Sequence, residues 1–291
     1  MSFTVNFCKA LNRLFKPPEH PFNMGDGGGG ASKNRNYALW QYERGAQTLE
    51  FYGKYATPEE MFAGKVCLDI GCGAAGKTLY YAGLGTKHVY GLEVLPSYKE
   101  DAEVLARELG LSEQFTFVCD DAADTRFPDG MFDTVIMNDA MEHVNKPEAV
   151  LDECRRILAP GGRLYVNFPP YWHPYGAHLS DVMGMPWVHL FFSERTLVRV
   201  YKDMVSPLPD RDERISFRIS TRKNARTGKD EEYFHYINRM TAKRFKRIVS
   251  GCGMKVAALD EEPLRSFMRP VLTLPGLREL FIRRVVAVLE R

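Results

Sequence analysis

Apolar positions along the chain alternate between short continuous runs and longer stretches of helical spacing. Val66, Cys67, Leu68 and Ile70 form a run that stops at Gly71, and Lys77 to Ala82 follows with long side chains and no breaker. A strand, a glycine turn and a helix are predicted there. Lys87 to Leu92 reads as a second strand with Glu93 at its tip, and Phe115 to Cys119 as a third ending at Asp120-Asp121-Ala122. Phe132 to Met137 is a fourth, ending at Asn138-Asp139, and Arg163 to Phe168 a fifth, entered through Pro160-Gly161-Gly162. Ser97 to Leu109 and Ala149 to Leu158 carry apolar residues at helical spacing between them. Alternating strands and helices specify a parallel sheet whose ligand lies at the strands' carboxyl ends. Acidic residues fall at four of those ends.

The flanks read differently. Asn34 to Phe62 is predicted mostly helical, with Tyr37, Trp40, Phe51 and Tyr52 on its apolar face. In Met1 to Lys16, Phe3, Phe7, Leu11 and Leu14 repeat at helical spacing beside Lys9, Arg13 and Lys16. Docking of this stripe on the protein's own surface is favoured, because a narrow stripe binds a bilayer only marginally; peripheral membrane contact through residues 1–16 is the alternative. Prolines and Gly25 to Gly30 then form a linker. After Phe168, Pro169 to His178 is dense in rings, prolines and histidines, the natural place for an acceptor pocket. Arg214 to Thr221 alternates like a strand, with Tyr233 to Ile237 as hairpin partner. Thr241 to Ser250 reads as a helix, and Met254 to Leu259 and Phe281 to Leu289 as strands. The expected organisation is a helical segment over 1–62, a core over 63–170, a cap over 171–240 and the rest of the core over 241–291.

The 291 residues are 45% hydrophobic and 26% charged, the composition of a soluble globular protein. A net charge of +2 argues against a polyanion as general partner, although Arg211 to Arg247 holds 12 Lys and Arg against 5 Asp and Glu. That excess fits RNA, anionic lipid or a solvated hairpin. The six cysteines lack paired spacing, Cys67 and Cys119 fall in strands predicted to be buried, and no secretory signal is visible, so a cytoplasmic location is expected.

Three ligand patterns overlay the glycine turn. Gly71, Gly73 and Gly76 fit a dinucleotide fingerprint, and Gly71, Gly76, Lys77 and Thr78 a phosphate loop, which would make the chain a nucleotidase. Asp69, Gly71 and Gly73 give Asp-x-Gly-x-Gly. A carboxylate aimed at phosphates in a dry site is repulsive by kilocalories, so Asp69 favours a cationic ligand.

Further motifs follow in order: Asp121-Ala122, Phe127 to Asp133, Ala140-Met141-Glu142-His143-Val144, and Ile157 to Gly162. From Asp69 to Phe168 the chain resembles the class I (Rossmann-like) S-adenosylmethionine-dependent methyltransferases, of the type acting on small molecules. The resemblance implies a seven-stranded, mostly parallel sheet with helices on both faces and an antiparallel last strand. It also implies that Asp69, Gly71, Cys72, Gly73, Glu93, Asp121, Ala122 and Asn138 surround S-adenosylmethionine. Gly71 and Gly73 would pass under its methionine part, Glu93 hold the ribose, Asp121 and Ala122 meet the adenine, and the Asn138 carbonyl approach the ammonium. Resembling enzymes often cover the cofactor with an N-terminal helical segment.

Transfer to a hydroxyl needs a proton acceptor, for which His143, His173 and His178 are the candidates. Asp139, Glu142 and His143 also resemble the acid-x-x-Glu-His segment of quinone-pathway O-methyltransferases, which can hold a divalent cation; a purely structural role for Glu142 and His143 competes. The leading expectation is an enzyme methylating a small apolar or aromatic molecule at a hydroxyl oxygen. An RNA or lipid methyltransferase and a phosphate-loop nucleotidase are the alternatives.

Overall fold

The structure is a computed structural model that describes residues 3–18 and 33–291; the glycine-rich linker lies outside them. Its strands are β1 (Val66–Ile70), β2 (His88–Glu93), β3 (Phe115–Cys119), β4 (Phe132–Asn138), β5 (Leu158–Phe168), β6 (Ile219–Lys223), β7 (Asp230–Phe234), β8 (Lys255–Pro263) and β9 (Ile282–Glu290). Seven form one sheet in the order β3-β2-β1-β4-β5-β9-β8, and β6 and β7 form a separate hairpin. β1 to β5 pair in parallel, while β9 runs antiparallel to both β5 and β8. This is the Rossmann-like sheet with a reversed last strand that the sequence implied. From β1 the chain winds outward through β2 and β3, then returns to place β4 on the other side of β1. The switch point, and so the ligand crevice, lies between the tips of β1 and β4.

Alternation along buried strands splits the core across the two faces of the sheet. Leu68, Ile70, Val135, Met137 and Val166 face α7 (Pro147–Ile157) and α11 (Ala242–Gly251). Cys67, Ile136, Tyr165 and Val288 share the opposite core with residues of α4 (Pro58–Phe62), α5 (Gly76–Ala82) and α6 (Lys99–Glu108). Over this second face α2 (Lys33–Glu43) and α3 (Gly45–Leu49) lie against α5, so the N-terminal segment is helical as expected.

A third core makes the cap. Leu197, Val198, Val200 and Tyr201 of α9 (Glu194–Val205) pack with Ala177, Leu179, Ile219 and Phe234, and α1 (Phe3–Asn12) adds Val5 and Cys8. Between the fifth strand and α9 sits the single turn α8 (Val188–Phe191). α1 does dock on the protein, but with the opposite face: Val5, Cys8 and Asn12 point inward, while Phe3 and Phe7 point outward.

Two further expectations change. The alternating stretch from Arg214 begins as a helix, α10 (Arg211–Arg218), and only Ile219–Lys223 is strand, paired with Asp230–Phe234. The helix lets Arg214 and Arg218, one turn apart, reach Asp181 from the same side. A strand would also place them on one face, but about twice as far apart. Cys119 is exposed rather than buried, because β3 is an edge strand.

Candidate active site

The tip of β1 is shaped by backbone approach. Gly71 has φ +73°, and a β-carbon there would stand 2.7 Å from that of Ala140, so the turn after β4 closes directly on it. At Gly76 the same addition would meet the Ala38 carbonyl at 1.9 Å, because α2 crosses the start of α5. The third glycine is thus a packing requirement of the overlying helix. Tyr37 lies over Gly73, donated to by the Gln41 amide at 2.9 Å, and Gln41 also accepts from the Gly76 N–H. Trp40 stacks on Tyr37 at 6.2 Å.

Asp69 is buried and accepts the Thr78 hydroxyl at 2.6 Å. Burial pushes its pKa up to about 6, against the pull of Thr78 and Lys77. Glu93 accepts N–H donors from Gly73 (3.1 Å), Val94 (2.9 Å) and Leu95 (3.1 Å), which resist the upward shift that burial imposes. Neither acid forms an ion pair among the described residues. Two uncompensated carboxylates beside a glycine turn suit a cationic ligand with hydroxyls and repel phosphates. The would-be phosphate-loop lysine points elsewhere: Lys77 Nζ lies 3.6 Å from Asp139. Cys72 is buried with its thiol pKa raised by burial, a space-filling residue. Asp121 stands exposed at the end of β3, beside β2, accepting from Ala123 N–H, with Ala122 half-buried next to it.

Across the switch point the tip of β4 is polar and closed. The Asn138 amide accepts from Tyr52 (2.8 Å) and Asn167 and donates to Tyr81 (3.0 Å). Asp139, at φ +51°, receives the Arg284 guanidinium at 2.5 Å. Burial opposes its ionisation, but Arg284 and Lys77 prevail and hold its carboxyl well below the usual range. Asp139 therefore faces these two cations rather than joining Glu142 and His143.

His178, from the cap, takes the third place. Its Nε2 lies 3.7 Å from Glu142 Oε1, that of His143 lies 4.0 Å from the same oxygen, and the two rings are 4.9 Å apart. One ligand atom from each of the three residues falls within 4.8 Å of the others, a donor set able to hold a metal ion. Glu142 is 3% exposed, and neither carboxylate oxygen has a hydrogen-bond partner among the described residues. Burial, with Asp139 adding to it, pushes its pKa well above the carboxylate range.

His143 Nδ1 is 2.8 Å from the Tyr236 carbonyl, which can only accept, so Nδ1 carries the proton and Nε2 presents a lone pair to the cluster. Burial lowers its pKa, opposed by the Tyr236 carbonyl, and favours that neutral form. His178 is held at φ +52° by its own carbonyl, which accepts from Tyr236 Oη and Arg218 Nε. Arg218, 1% exposed, is fixed in turn by Tyr201 and Asp181, to which Arg214 also pairs. His173 stands apart. Its Nδ1 accepts the Tyr175 N–H at 3.1 Å, leaving the proton on Nε2, and its pKa falls to about 4 through burial and Arg284.

Sequence reading missed Lys77 and Arg284 as the partners of Asp139, and Tyr236 as the anchor of both histidines. Arg284 left a signal, a charge entering the apolar run Val285 to Leu289. Tyr236 left none.

Residues 68–166 match the family described as methyltransferase domain. These residues carry a methyltransferase domain. A solved S-adenosylmethionine-dependent methyltransferase from Mesorhizobium loti aligns over 86% of this chain and 100% of its own, with TM-score 0.52 at 13% identity, a likeness of fold. The chain is 35% identical over 102 residues to a probable chloroplastic tocopherol O-methyltransferase of Oryza sativa subsp. japonica, covering 35% of this chain and 28% of that protein. It is 30% identical over 135 residues to a ubiquinone biosynthesis O-methyltransferase of Paraburkholderia phytofirmans, covering 46% and 56%. The chain thus spans between about a quarter and somewhat over half of these relatives' lengths. S-adenosylmethionine suits the crevice: its sulfonium and ammonium would face the charge of Asp69 and Glu93. Glu93, already accepting from Gly73, Val94 and Leu95, keeps a lone pair on Oε2 for a ribose hydroxyl.

Proposed function

We propose that the protein transfers the methyl group of S-adenosylmethionine to a hydroxyl oxygen of a small apolar or aromatic molecule. The observation that carries this reading is the bare Nε2 of His143, set beside Glu142 and His178 one turn from the methyl-donor crevice. The cofactor supplies an already activated methyl on its sulfonium, so alignment and proton removal are left to the protein. Asp69 and Glu93 hold the cofactor, with Gly71 and Gly73 beneath it, Asp121 and Ala122 at the adenine and Asn138 near the ammonium. His143 Nε2 takes the hydroxyl proton as the oxygen bonds to the methyl carbon and the carbon–sulfur bond breaks, leaving S-adenosylhomocysteine. His178 and Glu142 lie close enough to share the charge left on His143. His173, with its lone pair engaged by Tyr175, orients the cap loop. A divalent cation on Glu142, His143 and His178 would instead lower the hydroxyl's pKa. The names of these two relatives agree with oxygen as the accepting atom, while a norajmaline N-methyltransferase of Rauvolfia serpentina and a sterol 24-C-methyltransferase of Gibberella zeae match over similar lengths.

The basic segment gives less support to an RNA acceptor. Arg214 and Arg218 are buried against Asp181, and Arg222, Arg239 and Lys246 pair with Glu231, Glu194 and Glu261. Methyl-labelled S-adenosylmethionine offered with phenols, aliphatic alcohols, amines and RNA tests the proposal. Label should enter the hydroxyl compounds, at a rate that rises with pH as His143 is freed of its proton. Label entering only amines or RNA would refute it.

A further inference from the structure

We infer that α1 and the adjoining turn of the cap form a docking face for an anionic lipid bilayer. The helix has two apolar faces, and the protein uses the smaller one. Val5 and Cys8 are buried in the cap core, the Asn12 amide oxygen accepts the Met185 N–H at 3.1 Å, and Lys9 pairs with Asp203 of α9 at 3.2 Å. These contacts fix the rotation of the helix. They leave Phe3 (83% exposed) stacked on Phe7 at 6.2 Å, with Phe7 6.3 Å from the Phe192 ring beside α8. Leu14 (76% exposed) and Phe15 continue this outward apolar surface past the helix end, and Phe191 (67% exposed) projects from α8. Scattered exposed apolar residues are ordinary, but aromatics grouped on one fixed face mark an interaction surface.

Charge selects the occupant. Residues 3–18 contain Lys9, Arg13 and Lys16 and no acid, and Arg195 and Arg199 stand exposed on α9, two turns and one turn before Asp203. Aromatics flanked by cations match the boundary between acyl chains and anionic headgroups. A second copy meeting this face two-fold would set the same cations against each other. The location adds a reason, resting on the proposed acceptor class: α1 shares its core with Ala177 and Leu179, which flank His178. An apolar acceptor dissolved in the bilayer would then enter the cap from the docked side.

Sedimentation of the full chain with vesicles of phosphatidylcholine, alone or mixed with phosphatidylglycerol, tests this. Binding to the mixed vesicles, weakened by salt, is expected. Phe3→Ser with Phe7→Ser should weaken it by about tenfold or more, since two inserted rings are lost. Arg13→Glu with Lys16→Glu should weaken it by about tenfold or more on mixed vesicles alone. Both pairs are exposed, so the thermal shift with S-adenosylhomocysteine and transfer to a water-soluble acceptor should be unchanged. Those two controls report the proposed reaction separately from docking. Wild type left in the supernatant with both vesicles, or a Phe variant that sediments like wild type, would overturn the inference. So would a Phe-dependent dimer, or Phe-dependent polynucleotide binding, in place of vesicle binding.

Discussion

Around the tip of β1, the principal groups proposed for the cofactor come from residues 69–93, joined by one turn and one βα unit. Around the tip of β4, the acceptor side draws Glu142 and His143 from the core, His178 and Tyr236 from the cap and Arg284 from the last strand. The first is positioned by backbone: glycine approach and N–H groups closing on Glu93. The second is positioned by paired charge, half-buried Asp139 between Arg284 and Lys77 and buried Asp181 between Arg214 and Arg218. Buried charges are costly unless every one is matched, which makes their geometry specific and their disruption severe. A nucleotide-type ligand can thus be recognised by a short local motif, while the acceptor side depends on pieces far apart in the chain.

The largest effect is expected where the acceptor side is braced. Asp181→Ala leaves Arg214 and Arg218 buried without their shared counter-charge, and should cost about 3–5 kcal/mol in urea unfolding. Methyl transfer should then fail at urea concentrations at which S-adenosylhomocysteine still binds; simultaneous loss of both would mean that the two sides fold as one. Next comes the chemistry. His143→Ala should lower turnover by about 10²–10⁴ and leave the melting temperature nearly unchanged, whereas a structural histidine would show the reverse.

A smaller effect separates the two strand-tip acids by pH. Asp69 has a folded pKa near 6, above its ordinary value of 3.8, so its stabilising contribution is full below the latter and lost as pH rises through the former. The swing is on the order of 2–3 kcal/mol at most, and Asp69→Asn should flatten it between about pH 4 and pH 6. Asp139 is held low, so its contribution is present above the ordinary carboxylate range and lost only on further acidification. Urea midpoints across that range, compared between wild type and Asp69→Asn, check the signs. A falling slope that persists in the variant would assign it to another group, Glu93 and Glu142 being acids that burial also shifts upward.

Legibility in the sequence follows the same division. Strand tips and the glycine turn show as apolar runs ending in Gly or acid, because strand burial and turn geometry are set by neighbours in the chain. Even there, Gly76 completes two phosphate-ligand patterns in the sequence, while its tight contact in the fold is with α2. The alternation through Ile215, Phe217 and Ile219 suggested a strand, but buried contacts of Arg214 and Arg218 with a distant Asp181 accompany a helix. Nothing local to His178 could show that Tyr236 and Arg218 hold it in a left-handed conformation beside His143. For α1 the spacing of Phe3 and Phe7 marked the stripe correctly, while a choice between two faces was settled by Asn12 and Lys9 finding partners on the cap.

The central claim is that cofactor binding and proton handling reside in different side chains on opposite sides of the switch point. Isothermal titration of S-adenosylhomocysteine into wild type, Glu93→Ala and His143→Ala measures this directly. The account predicts that Glu93→Ala weakens binding by about 1–3 kcal/mol, the loss of a charge-assisted hydrogen bond, while His143→Ala stays within about threefold of wild type, under ~1 kcal/mol. Unchanged affinity in Glu93→Ala, or a comparable loss in His143→Ala, would contradict it.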